Sequence, residues 1–276
     1  MDEVNIVYEY LKHENIKDPV MFDVGAHAGG SLYQFARDKW KIYAFEPNPS
    51  MIEKLNQNMT MWNIHSQVKL FPVALGEEKK HVDFYVSNES TGISSVIPFR
   101  DSHQKALQVE VTTVKDICKE NNIGKIHFLK IDVEGNDMNV LKGVNWEKNA
   151  PDVVIAEFED YKTKSLNIIM PDIFNYLKER GYYVVVSEWQ PIKQYGIEHS
   201  WNKFLMPENA TNYNPAGWGN LIAFKNFDYG VFASAVQTAS NKQLQKVKQH
   251  YVNSMAPRNL LSRVKNKLKT VKASLC

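Results

Sequence analysis

The stretch that decides the fold is Phe22–Pro49, FDVGAHAGGSLYQFARDKWKIYAFEPNP. An apolar run enters a turn of small residues, a helix-like segment follows, and a second apolar run ends at Glu46-Pro47. This order matches the opening of a doubly wound sheet, in which ligands lie beyond the carboxyl ends of the strands. Gly25, Ala26, Ala28, Gly29 and Gly30 let the backbone approach a ligand closely, and the following helix start leaves N–H groups free. Glu46, at the end of the second run, stands where a carboxylate can accept both hydroxyl hydrogens of a ribose.

The turn also discriminates between ligands. His27 occupies the middle glycine position of G-x-G-x-x-G, and Asp23 precedes the first glycine by two residues. A carboxylate there would repel a pyrophosphate but tolerate the cationic methionine end of S-adenosylmethionine (SAM). The electrostatics therefore favour SAM over NAD, with capping of the next helix as the other use for Asp23.

Outward from this stretch the alternation continues. Val4, Val7, Tyr8 and Leu11 recur at helical spacing, and Asn48-Pro49 opens a helix with proline in its first turn. Apolar runs at 68–75, 126–135, 152–159, 182–189 and 220–226 read as strands, and 170–181 as a helix stopped by glycine. Such alternation predicts an α/β domain with a doubly wound, mostly parallel sheet covered on both faces. The exception is 76–112, where HVDFYVSN and LQVEVTTV have period two with no helix between them, which predicts a β-hairpin excursion.

FLKIDVEGNDMNVLKGV (128–144) carries the chemistry. Asp132 and Glu134 end an otherwise apolar strand, and two carboxylates at a buried strand tip are costly unless solvated or bound. The alternative is that one of them caps the helix beginning near Asn136.

With these blocks in view, the chain resembles the FkbM-type methyltransferases, a branch of the class I SAM-dependent enzymes. FDVGAHAGGS, AFEPNP, PVALG, LKIDVEG and VLKGV stand in the order and spacing of that family, over residues 20 to 160 and on to Phe224. The family commonly has Asn where this chain has His27. The resemblance implies a seven-stranded Rossmann-like methyltransferase sheet whose last strand, 220–226, is antiparallel. It implies a SAM site in which Asp23, Gly25 and Ala26 form the methionine-side turn, Glu46-Pro47 the ribose end, Val73-Ala74 the adenine edge, and Asp132 the tip beside the methyl. It also implies O-methylation, often of a sugar or a glycosylated or polyketide product.

A sugar hydroxyl needs a general base within hydrogen-bond reach. Candidates near the strand tips are Asp132, Glu134, His27, Glu157 and Glu159, with Glu134 foremost. The competing reading is that Asp132 and Glu134, with Asp137, hold a divalent ion such as Mg²⁺. TGISSVIPF (91–99) is either a substrate-facing lip or an ordinary hairpin turn. The segment 189–219 carries Trp189, Tyr195, Trp201, Phe204, Tyr213 and Trp218, which suit either a sugar ring or a satellite core beneath a substrate-side loop.

Charge is uneven. Of 33 Lys and Arg, nine lie after residue 240, where there is no Asp or Glu, so a net acidic body (1–230) precedes a basic tail (231–276). Leu260, Leu261, Val264, Leu268, Val271 and Leu275 give the tail an amphipathic pattern over 257–276, suited to an anionic membrane surface, to packing on the domain, or to a solvated tail. The acidic first residues, the lack of a long apolar run, and only Cys118 and Cys276 predict a cytoplasmic protein without a disulfide framework, peripheral to the membrane if the tail binds one. A nucleic-acid methyltransferase using the tail and a non-catalytic SAM-binding module are the rival functions. Against the first, the strand tip reads Asp-Val-Glu-Gly and the acidic body would repel a polyanion.

Overall fold

The computed structural model describes residues 1–255 apart from 88, 90, 195, 196 and 198; of 91, 246, 247 and 249–255 it describes the backbone alone. The basic segment 257–276 lies outside the described residues.

The opening half follows the expected alternation. Helix α1 (Glu3–Leu11) precedes β1 (Val20–Val24), α2 (Tyr33–Arg37), β2 (Lys41–Phe45), α3 (Pro49–Trp62) and β3 (Val68–Phe71). Asn48 caps α3 through its side chain and Pro49 takes the first turn, where a missing N–H costs nothing. The run 68–75, read as one strand, is two. Pro72 interrupts it, and β4 (Ala74–Leu75) leaves the main sheet to pair with β6 in a second one. That second sheet holds β5 (Lys80–Ser87) and β6 (His103–Thr112), paired antiparallel as the hairpin reading expects.

After α4 (Val114–Glu120) come β7 (Phe128–Ile131), α5 (Asp137–Lys142), β8 (Val153–Phe158), α6 (Asp160–Thr163), α7 (Met170–Lys178) and β9 (Tyr183–Trp189). The chain continues through β10 (Trp201–Leu205), β11 (Trp218–Phe224) and α8 (Tyr229–Met255). The main sheet runs β10-β9-β11-β8-β7-β1-β2-β3, with β11 antiparallel between β8 and β9. Seven strands and the antiparallel last strand are as expected. The eighth, β10, lies inside 189–219, read from sequence as a loop. A register shift between Trp201 and Lys203 breaks the period-two signal there.

Strands β1, β7 and β8 are buried on both faces, which is why they read as nearly continuous apolar runs. One core lies on each side of the sheet. Helix α8 begins inside the second of these, through buried Phe232, Ala235 and Ala239, so the domain runs past the expected boundary at 230. Among the described residues no helix is long and apolar enough to cross a membrane.

Candidate functional site

At the carboxyl ends of β1, β2 and β7 lies a cleft of about 730 Å³. Adjacent parallel strands place their tips side by side, so residues far apart in sequence meet there: β1 pairs with both β2 and β7. Gly25, Ala26, His27, Glu46, Pro47, Val73, Ala74, Asp132 and Glu134 all line this cleft.

The turn after β1 is built for close approach. Gly25 has φ +78°, and a Cβ there would fall 1.9 Å from the Asp132 carbonyl oxygen, so only glycine fits. His27 is also left-handed, at φ +47°. Asn and His both tolerate that region, which accounts for His at a position where Asn is common. The His27 N–H donates to Glu46 Oε2 (2.9 Å) and the Asn48 N–H to Glu46 Oε1 (2.8 Å). These two amides aim the Glu46 carboxylate. Burial raises its pKa above the ordinary carboxylate value, and the two N–H bonds pull the other way.

Asp23 differs from the sequence reading. It is fully buried and does not line the cleft. Its Oδ2 accepts from Ser31 Oγ (2.6 Å) and its Oδ1 lies 3.3 Å from Lys130 Nζ. Both partners do line the cleft, so Asp23 acts through them. Lys130, in the middle of β7, also donates to the Gly25 carbonyl (3.0 Å) and stands 3.4 Å from Asp132 Oδ2. Burial would lower its pKa, but Asp23 and Asp132 outweigh burial and hold the ammonium above its ordinary value. Sequence reasoning missed this lysine, although a charge inside an apolar strand is itself a signal that a counter-charge lies nearby.

The turn after β7 is the acidic end. Glu134 has φ +57° and Gly135 φ +96°. Ser95, from the lip at 91–99, donates through Oγ to the Glu134 carbonyl (2.9 Å) and pins this strained turn. Asn136 is the N-cap of α5 and no side chain caps the helix, so capping does not account for Asp132 or Glu134. Asp137 points elsewhere: its Oδ1 accepts from the Glu157 N–H at 3.0 Å. The carboxylates that converge are Asp132, Glu134 and Glu157, with ligand oxygens within 4.8 Å of one another, so Glu157 stands where Asp137 was expected. Among them reaches Lys162 from α6, which contacts Glu134, Glu157 and Glu159. Burial pushes Glu134 up to about 7; Lys162 opposes the rise and Asp132 adds to it. Glu157 is raised well above its ordinary value, again chiefly by burial.

Two walls complete the cleft. Gly92, Ser94 and Ser95 line it, so the 91–99 segment is a lip. From 189–219 only Ile192, His199 and Trp218 do so among the described residues. Trp189 stacks behind Trp218 (5.3 Å), and His199 meets the Trp218 ring edge-on (5.6 Å). The buried Trp218 Nε1 has no hydrogen-bond partner among the described residues. Trp201, Phe204 and Tyr213 serve internal packing and hydrogen bonding instead; Tyr195 lies outside the described residues. The rim also takes Asp2, Val4 and Asn5, brought there by α1.

Residues 23–184 match the methyltransferase FkbM domain family. A 2-O-methyltransferase NoeI of Sinorhizobium fredii (strain NGR234) is 25% identical over 159 residues, covering 52% of this chain and 64% of that protein. A hexuronic acid methyltransferase AglP of Haloferax volcanii is 25% identical over 151 residues, covering 55% and 60%. The chain thus spans less than two thirds of the length of either relative. A solved methyltransferase FkbM from Methylobacillus flagellatus KT is 17% identical over 81% of this chain and 55% of that one, with a TM-score of 0.45. The match over more than half of its length places this chain in the FkbM methyltransferase domain family.

Proposed function

We propose that this protein is a SAM-dependent O-methyltransferase acting on a hydroxyl of a sugar or glycan. The observation that carries the reading is that one cleft joins a ribose-type carboxylate, Glu46, to an ionisable carboxylate, Glu134, across the Gly25 turn. The cradle suits SAM: Gly25 leaves room that a side chain would fill, and Glu46, which lines the cleft, would take the ribose, with Val73, Ala74 and Leu75 at the adenine edge. When bound, SAM supplies a methyl group on a positively charged sulfur. Asp132, at the tip of β7, would hold that charge, and Asp23 holds Lys130 and Ser31, which line the same cleft.

Glu134 takes the hydroxyl proton onto its carboxylate, leaving the acceptor oxygen nucleophilic. A base tuned near neutrality suits this task. The names of NoeI and AglP, with their 2-O-methyl and hexuronic acid chemistry, support a sugar acceptor. Trp218 supports it too, offering an aromatic ring at the cleft wall. A nucleic-acid acceptor fits less well, because carboxylates line the acceptor end and would repel phosphates.

The test is methyl transfer from labelled SAM to a panel of sugars and glycans across pH. Glu134 works ionised, so kcat is expected to rise with pH and level off above about 7. Glu134→Gln should lose that limb and fall by about 10²–10⁴-fold in kcat. An unchanged profile in Glu134→Gln would remove Glu134 from the role.

A further inference from the structure

The acidic end of the cleft already contains its own cation. Lys162 is 2% exposed, and its Nζ lies 2.6 Å from Glu134 Oε2, 2.9 Å from Glu157 Oε2 and 3.1 Å from Glu159 Oε2. The three carboxylates come from three places: the turn after β7, the strand β8, and the start of α6 itself. We propose that Lys162 is a positioning residue standing in for a divalent metal ion, fixing the Glu134 carboxylate at the acceptor end so that the site needs no metal. The part played by Glu134 rests on the methyltransferase reading; the occupancy of the acidic cluster by Lys162 does not.

Geometry makes the substitution of ammonium for metal specific. Oxygens on opposite sides of one calcium-sized ion are roughly 5 Å apart. Asp132, Glu134 and Glu157 present ligand oxygens within 4.8 Å of one another, so the cluster has the span of a metal cage. Lys162 sits on two of its three members, and Lys130 on the third at 3.4 Å. A metal entering there would meet fixed positive charge and oxygens already engaged.

Packing holds the ammonium in place. A Cβ on Gly135 would lie 3.3 Å from Lys162 Cβ, so the lysine stem rests directly on the Glu134–Gly135 turn. Ser95 fixes the backbone of that turn and Lys162 its carboxylate. Burying an ammonium costs several kcal/mol unless its partners are well placed, and apolar packing is often as stable. A purely structural contact would not require three carboxylates around one buried lysine at a cleft wall.

Uptake of Mn²⁺, followed by loss of the free-ion electron paramagnetic resonance signal, tests this without an acceptor substrate. Wild type and Lys162→Arg are expected to leave Mn²⁺ free. Lys162→Ala is expected to bind one Mn²⁺ per chain at least about tenfold more tightly than wild type, because an uncompensated carboxylate cluster seeks a cation. Adding Glu157→Gln to Lys162→Ala should abolish that uptake. Stoichiometric Mn²⁺ binding by wild type, lost in Glu157→Gln alone, would overturn the proposal, as would a folded Lys162→Ala that takes up no metal. If Lys162→Ala does not fold, wild type against Glu157→Gln still decides by the same criterion. Titration of the same samples with S-adenosylhomocysteine reports the cofactor reading separately, and its failure would leave the Mn²⁺ result intact.

Discussion

Gly25→Ala is expected to weaken the fold and abolish binding of S-adenosylhomocysteine together. The added methyl would fall 1.9 Å from the Asp132 carbonyl oxygen, a backbone atom that cannot rotate away. Relief requires β1 and β7 to part at their tips, where Asp132 N–H donates to the Val24 carbonyl (3.0 Å). The left-handed φ of +78° adds its own penalty. Strain and overpacking together predict a loss of roughly 2–5 kcal/mol, or a fall in Tm of roughly 5–15 °C. Gly124→Ala is the control, since a Cβ there meets nothing within 4 Å. Thermal unfolding and calorimetry on both variants check this. A Gly25→Ala protein with unchanged Tm and affinity would show that the turn is not the tight cradle described.

Glu46→Ala is expected to leave the fold largely intact and cut S-adenosylhomocysteine affinity severely. Two hydroxyl bonds to a carboxylate contribute roughly 1.5–3 kcal/mol each, so Kd should rise by about 10²–10⁴-fold. Part of that loss comes from the His27 and Asn48 amides, which the carboxylate now orients. Glu46→Gln keeps one acceptor oxygen and should fall between wild type and alanine. Equal affinity in all three would place the ribose elsewhere.

The central sheet was legible in the sequence because its strands are buried on both faces, so the apolar runs at 126–135 and 152–159 stood out from polar turns. The hairpin was legible for a different reason: in β6, buried Val109 and Val111 alternate with exposed Gln108 and Glu110. The cofactor-side residues were found because glycines at a strand tip serve close backbone approach, and a carboxylate at the next tip serves a ribose. What escaped depends on contacts distant in sequence. Lys130 stands out as a charge in an apolar run, but its partner Asp23 is 107 residues away, and Lys162 looks like an ordinary surface charge until the fold brings Glu134 against it. Asp137 was expected in the acidic cluster, but its carboxylate accepts from the Glu157 N–H of β8, and Glu157, already a candidate near the strand tips, joins the cluster instead. Asp2 and Asn5 reach the rim through long-range packing of α1, which no local pattern announces.

The opening turn as a SAM cradle is tested most directly by calorimetric titration of the wild-type protein with S-adenosylhomocysteine and, separately, with NAD. The expected result is one S-adenosylhomocysteine bound per chain with Kd on the order of micromolar and no heat from NAD. NAD binding with no response to S-adenosylhomocysteine would contradict it, and the methyl-transfer chemistry built on Glu134 would fall with it.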